Sequence, residues 1–406
     1  MRADVQLLSK EGQSTVQPPR VLFVVEGFTD IRFVVGLSQI CELTMVVPAK
    51  QYRESGLEQR VKEAGLKIQV DALPGGRLQY QQSCFRYLWN HVKQYDVVLS
   101  QEVLRGSFGA CVACALRKVP VITYMGIAPV EYFRCRRERG QIGWAKSLAG
   151  EWLIKSLMWA NGRLATRCLA MGPYLRDIAA KDCPRSEVGL YYGVDTDFFR
   201  PADEQERRQL RHKLNLPPDA FLIFLSSRIS HEKDPETVLR ATSIARQKGL
   251  DAVLLNLGGG YKDFIKLAGE LNLPDAERWV LGRPAAHPMT EVADYFRTAD
   301  TMALASLAEG AAFSTLEALS CGTPLVCSEV GGMAVQLAGY ARFAPRQDAE
   351  AMARQFLWVA ENAESARAQA LRGREYVLRD WNREKAFSDL LKLFQEVRSN
   401  QSTAAL

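Results

Sequence analysis

Two pairs of side chains in the second half of this sequence have types and spacing that could do chemistry. They are Arg228 with Lys233, five residues apart, and Glu309 with Glu317, eight apart. The cations sit in Ser-Ser-Arg-Ile-Ser-His-Glu-Lys-Asp-Pro (226–235), where the arginine closes a predicted strand and the lysine precedes a helix beginning near Pro235. At a strand's carboxyl end such a pair suits a diphosphate, since a guanidinium grips two phosphate oxygens and an ammonium acts as a point charge. Standing alone, the pair reads more readily as solvated surface charge. Glu309 is followed by Gly310, Ala311 and Ala312, small enough for a ligand to approach the backbone, and then by a helix opening whose N–H groups are unpaired and electropositive. A pyrophosphate and its sugar fit there. Glutamates beside an anion should contact something neutral, and a vicinal diol on the sugar or the ribose is the natural partner. A favourable first-turn charge is the plain alternative for Glu309.

The elements that would position these groups follow a rhythm. Short β-branched runs at 21–25, 43–47, 68–73, 97–100 and 119–124 alternate with helix-length segments, as do runs at 221–226, 252–257, 279–281, 302–305 and 325–327. Strands spaced by helices predict βαβ units and parallel sheets covered on both faces. The rhythm breaks in a turn-rich stretch ending at Pro201. This divides the chain into a polar leader (1–19), a first Rossmann-like domain (20–190), a linker (191–203) and a second domain (204–382). The closing helix, 383–406, carries an apolar stripe of Phe387, Leu390, Leu391, Phe394 and Val397 that needs a partner surface, and it is expected to complete the first domain. Two doubly wound domains facing a cleft place ligands at the carboxyl ends of their strands.

Length and composition agree. The 406 residues predict two or three domains, and 47% hydrophobic with 24% charged residues are globular values that exclude a fibre or a disordered tail. A net charge of +6 does not by itself argue for nucleic acid, and none is expected as a partner. Nine scattered cysteines suit reduced thiols better than a disulfide framework. The start has no apolar h-region, and no run approaches the ~20 apolar residues that span a bilayer, so a cytoplasmic location is expected.

The string from Glu309 to Glu317, continuing Ala-Leu-Ser-Cys-Gly-Thr-Pro-Leu-Val, resembles the "glycosyl transferases group 1" domain, the carboxyl half of retaining GT-B glycosyltransferases of family four. Other segments agree in order and spacing: Gly193-Val194-Asp195 with Phe198 and Pro201, Arg228 with Lys233, Leu257-Gly258-Gly259-Gly260, Val280-Leu281-Gly282 and Gly331-Gly332. The resemblance is strong over about 190–381 and order-consistent over 20–185. It implies an α/β GT-B fold and metal-independent, retaining transfer of a hexosyl unit from a nucleotide-diphosphate sugar, UDP first and GDP next, with no cofactor. The acceptor would be a glycan or lipid-linked glycan, as in bacterial-type surface polysaccharide synthesis. Alternatives are a small soluble acceptor, an epimerase or hydrolase on the same fold, and a non-catalytic nucleotide-sugar-binding subunit.

Carried onto this chain, the resemblance makes Arg228 and Lys233 the diphosphate ligands that stabilise the leaving phosphate, and Glu309 the contact to the transferred sugar. The amides of Gly310, Ala311, Ala312, Phe313 and Ser314, with Thr315, would line the donor; Glu317 would hold the ribose diol; Gly27 would admit the diphosphate to the first domain. Glu102 and Gly126 are the acceptor-side candidates. Three departures stand out: one glycine in Glu26-Gly27-Phe28, no histidine at Met125-Gly126, and Tyr192 where asparagine is usual. The first two face the acceptor, so they bear on it rather than on the donor.

Other signals carry less. Asp195-Thr196-Asp197 matches a metal-binding Asp-x-Asp, but the Gly-Val-Asp context accounts for it. Cys111 and Cys114 have zinc-like spacing without a second pair. The triple glycine 258–260 is not a dinucleotide fingerprint. The histidines at 91, 212, 231 and 287 form no ligand spacing. Between 130 and 167, however, eight Arg and Lys stand against three Glu, interleaved with Trp144, Leu148, Trp152, Leu153 and Trp159. Such a stretch (134–167) reads either as an element for an anionic membrane surface, which would make the protein peripheral at the inner face of the cell membrane, or as a core-packed helix with a basic outer side.

Overall fold

The computed structural model describes residues 17–404 apart from Phe28, Gly259 and 285–289. Most of the leader, and His287, lie outside the described residues. The amino-terminal lobe is built on seven strands: β1 (Arg20–Val24), β2 (Glu42–Pro48), β3 (Gln69–Leu73), β4 (Val97–Ser100), β5 (Val121–Met125), β6 (Arg167–Ala170) and β7 (Ser186–Val188). They lie in the order β3-β2-β1-β4-β5-β6-β7, all pairs parallel. The carboxyl-terminal lobe repeats the winding with β8 (Phe221–Leu225), β9 (Ala252–Leu257), β10 (Val280–Arg283), β11 (Thr301–Leu304), β12 (Leu325–Ser328) and β13 (Arg342–Ala344), in the order β10-β9-β8-β11-β12-β13. In each sheet the strand order reverses beside the first strand, at β1/β4 and at β8/β11, which opens a crevice at the strands' carboxyl ends.

The runs of β1 explain the layering. Val21 and Phe23 point into a cluster with Phe33 and Leu37, whereas Leu22 and Val24 point to the other face with Tyr80, Leu88, Cys111 and Cys114. Period-two alternation in a uniformly apolar strand requires cover on both sides, which the flanking helices supply. Cys111 and Cys114 are thus core side chains, and all nine cysteines are buried and unpaired. β10 starts one residue later than its apolar run because Trp279 ends a helical turn (Ala276–Trp279), its indole N–H donating to the Pro274 carbonyl at 2.9 Å.

The chain crosses between lobes twice, and the crossings run side by side. The Val194 N–H donates to the Trp381 carbonyl at 2.7 Å, and the Arg383 N–H returns to Val194 at 3.0 Å. The last helix (Arg383–Ala404) then lays Phe387, Leu390, Phe394 and Val397 onto the Phe33 cluster of the amino-terminal lobe. Burial contributes on the order of 1.5–3 kcal/mol per large apolar side chain, so this helix fastens the lobes covalently and by packing.

Candidate functional site

The lobes meet along a closed seam, and the chemistry-bearing loops of the carboxyl-terminal lobe lie in it. Arg228 follows β8, and Lys233 ends a single turn of 3-10 helix (His231–Lys233). Asp234 next to it is left-handed (φ 46°), a conformation an L-residue adopts only when its surroundings hold it there. They do: its carboxylate accepts from the Thr237 hydroxyl at 2.6 Å and from Arg139 of the other lobe at 2.6 Å. The joint turns the chain directly into the helix Pro235–Gln247.

Glu309 comes from the loop after β11 and meets Lys233, Nζ to Oε1, at 2.6 Å, with both side chains largely buried. Gly310 presses on Leu175 and Ile127 of the amino-terminal lobe. A Cβ at Gly332 would lie 1.8 Å from the Gly310 carbonyl oxygen, so only glycine lets these two loops touch. The helix Phe313–Ser320 opens behind Ala312 with no side-chain cap; the Thr315 N–H turns back to the Ala312 carbonyl at 3.1 Å, and the Phe313 and Ser314 amides precede it at the helix opening. Thr315 is fully buried and its hydroxyl donates to the Ala312 carbonyl at 2.6 Å. The Phe313 ring packs on Tyr191, Tyr192 and Trp381, and Ala311 and Ser314 are partly exposed.

Arg228 is exposed; its Nη2 lies 3.1 Å from Glu232 and 3.5 Å from the Tyr132 hydroxyl. Tyr132 in turn donates to Glu232 across the seam at 2.5 Å, and burial followed by this carboxylate pushes its phenol up to about 12. Glu317 points elsewhere: its Oε1 accepts from Arg32 Nη1 at 2.6 Å, and Arg32 is held by Asp30 and the Tyr192 hydroxyl. Burial pushes the Glu317 carboxyl up and Arg32 pulls it back. Lys233 and Glu309 therefore touch, Arg228 shares the loop of Lys233, and Glu317 engages the seam through a different partner. Arg228 and Glu317 reach side chains of the amino-terminal lobe, Tyr132 and Arg32.

On that lobe, Gly27 is exposed with open space where a Cβ would be, Glu102 follows β4 beside Gly106, and Gly126 follows β5 near Met171. A cavity of about 220 Å³ opens at the seam between Tyr132, Arg136 and Arg139 on one side and His231, Glu232 and Leu307 on the other. Arg32, Tyr132, Arg139 and Asp234 escaped sequence reasoning because they belong to the seam only through partners in the opposite lobe. Among the described residues no group of His, Cys, Asp or Glu could hold a metal.

Two parallel doubly wound sheets in these orders, closed on one another by a returning terminal helix, define the GT-B architecture. Solved structures agree: *Anabaena* HepE in complex with UDP matches with a TM-score of 0.74 and 14% identity over 93% of this chain and 100% of that one. Sucrose-phosphate synthase of *Thermosynechococcus elongatus* matches at 0.71 and 17%, over 95% and 100%. Residues 206–376, within the carboxyl-terminal lobe, match the family described as "Glycosyl transferases group 1". A *Catenulispora acidiphila* D-inositol 3-phosphate glycosyltransferase 1 is 31% identical over 251 residues, 59% of this chain and 57% of its own length. The *Mycobacterium bovis* D-inositol 3-phosphate glycosyltransferase is 36% identical over 151 residues, 36% and 30%. The matches thus span little more than half of the first relative and under a third of the second.

Proposed function

We propose that this chain is a retaining, metal-independent glycosyltransferase that moves a hexosyl unit from a nucleotide-diphosphate sugar, a UDP-sugar first, to a glycan or lipid-linked acceptor at the inner face of a membrane. The observation that carries it is the buried Lys233–Glu309 pair beside an uncapped helix in the group 1 domain, facing a second Rossmann-like lobe. The neighbour solved with UDP and UDP-glucose supports the donor class. In this reading the lobe 204–382 takes the donor and the lobe 20–190, completed by 383–406, takes the acceptor, with 191–203 the linker. The bond from the anomeric carbon to the diphosphate breaks while Arg228 and Lys233 neutralise the departing phosphate. The acceptor oxygen attacks the same face, and its proton passes to a phosphate oxygen, leaving a glycoside and a nucleoside diphosphate. Glu309 holds sugar hydroxyls, Lys233 screens it from the diphosphate, the amides 310–314 line the donor, and Glu317 takes the ribose once Arg32 withdraws.

The membrane part rests on the helix Trp144–Leu164, which is built inside out. Its buried residues are Ser147, Glu151, Met158 and Asn161, while Trp144, Trp152 and Trp159 are 70%, 71% and 57% exposed. At about 100° per residue, Trp144, Leu148, Trp152, Lys155 and Trp159 fall within about 80° of one another. A water-exposed stripe of tryptophans that carries Lys155, with exposed Lys146 on the same helix, suits an anionic lipid surface better than bulk solvent. A use in surface polysaccharide assembly would follow. No described helix is long and apolar enough to cross a membrane. A thermal-shift panel of UDP-, GDP- and ADP-sugars tests the donor half: a UDP-sugar should raise the melting point by mass action, and no shift with any of them refutes the reading.

A further inference from the structure

The loop that carries Arg228 and Lys233 is held from the neighbouring strand by a buried amide. β9 (Ala252–Leu257) is buried along its whole length, and its single polar side chain is Asn256, 0% exposed. Asn256 Nδ2 donates to the carbonyl of Leu225, the last residue of β8, at 3.0 Å and to the Ser227 carbonyl at 3.0 Å. Carbonyls two residues apart on an extended strand stand about 6.4–6.8 Å from each other. One nitrogen 3.0 Å from both holds them no more than twice that distance apart, so the chain bends off β8 at Ser227, the residue before Arg228. Further along the loop, the Glu232 carbonyl accepts from the Leu307 N–H at 2.8 Å.

The amide is a costly way to fill this position. Asn256 Oδ1 is buried with no hydrogen-bond partner, a penalty that the apolar side chains of β9 do not carry. Its orientation is fixed, because two carbonyls can face only the nitrogen end of the group. Arg228, by contrast, is not held by packing: its side chain is 68% exposed and reaches Glu232 and the Tyr132 hydroxyl. A long exposed side chain is aimed from its backbone end, and the tethered Ser227 carbonyl sets where that end lies. We infer that Asn256 is a positioning residue, which fixes the bend after β8 so that Arg228 meets the terminal phosphate of the donor's diphosphate. This rests on the glycosyl-transfer reading, in which Arg228 grips that diphosphate, and adds to it a residue that never touches the donor.

The test measures UDP and UMP affinity by titration calorimetry on the full chain, since UDP has the terminal phosphate and UMP lacks it. Asn256→Leu should stay folded by circular dichroism and bind UMP as the unaltered protein does. It should bind UDP about tenfold or more weakly, the loss expected when charged hydrogen bonds are misplaced. In an Arg228→Ala background the same substitution should weaken UDP no further, because the guanidinium it positions is gone. Asn256→Ser, whose one hydroxyl can donate to one carbonyl only, gives the same readouts should Asn256→Leu fail to fold. A UDP-to-UMP ratio unmoved by the substitution, an equal loss in both backgrounds, or failure of both variants to fold overturns the positioning role. No binding of UDP by the unaltered protein overturns the glycosyl-transfer reading instead.

Discussion

Arg32, at the start of the first helix of the amino-terminal lobe, places Nη1 2.6 Å from Glu317 Oε1 in the other lobe, and so occupies the carboxylate proposed to receive the donor's ribose. Glu317 is buried, and removing one partner of a buried pair typically costs ~3–5 kcal/mol. Arg32→Met should therefore lower the melting temperature of the free protein by several degrees. UDP should then stabilise the variant more than the unaltered protein, because ribose hydroxyls can satisfy Glu317 with no guanidinium to displace. Differential scanning fluorimetry with and without UDP checks this. Equal UDP-induced shifts would mean that the nucleotide never frees Glu317.

Lys233→Ala should cut transfer from UDP-glucose by roughly 10²–10³, the usual loss when one donor to a developing anion is removed from a closed site. Its partner Glu309 is left without its cation but lies at the seam, where water can reach it on opening. The variant should remain folded by circular dichroism. Undiminished turnover in a folded variant would remove Lys233 from the leaving-group chemistry.

Much of the fold was legible because its signal is local. Largely apolar runs such as 21–25 and 252–257 read as buried parallel strands, and they form β1, offset by one residue, and β9. The short β6, β7 and β13 were not legible: Arg167, Ser186 and Arg342 open them, and three or four residues carry no periodicity. The candidate site divides the same way. Arg228, Lys233, Glu309 and Glu317 stand out by spacing within one lobe, whereas the contacts that cross to the other lobe arise only when the lobes meet. Tyr132 meets Glu232 across 100 residues of chain, Arg139 meets Asp234 across 95, and Arg32 meets Glu317 across 285. Separations of that size leave no pattern in a sequence. The tryptophans of 144–164 were visible as a stripe, but which side of the helix faces the core depends on Asn161 donating to the Val103 and Leu104 carbonyls.

The carboxyl pair of the amino-terminal lobe predicts a pH dependence. Burial, and then the hydrogen bond and charge of Glu26, push Glu102 up to about 7 from 4.5; the Gly106 N–H and Arg105 oppose this. Tyr80 and Cys84, on the helix Arg77–His91, also feel this pair. Below 4.5 the group is protonated folded or unfolded. Between 4.5 and 7 the folded chain holds a proton that the unfolded chain has lost, so stability falls as pH rises and levels off above 7. Glu102→Gln removes the group, so it should gain stability relative to the unaltered protein between pH 5 and 8, by at most about 3 kcal/mol. Denaturant midpoints at several pH values measure this, and parallel curves for the two proteins would contradict it.

The inside-out helix predicts binding to anionic bilayers that is separable from folding. Trp144 and Trp152 are largely exposed, so Trp144→Ala with Trp152→Ala should leave the melting temperature nearly unchanged. The same substitutions remove the apolar part of the lipid contact. Lys146→Gln and Lys155→Gln remove part of the electrostatic attraction, at about 1 kcal/mol per cation, or roughly fivefold in affinity each. Because the Debye length shortens with salt, retention on phosphatidylglycerol vesicles should be strong at low salt and weaken as salt is added. On phosphatidylcholine alone it should be weak throughout. Arg134 and Arg137 are tied to Glu151, so they contribute less to this attraction than Lys146 and Lys155. Cosedimentation with the two vesicle types measures each term separately. If the tryptophan variant is retained as well as the unaltered protein, the stripe serves some other contact and the lipid-linked acceptor loses its structural support.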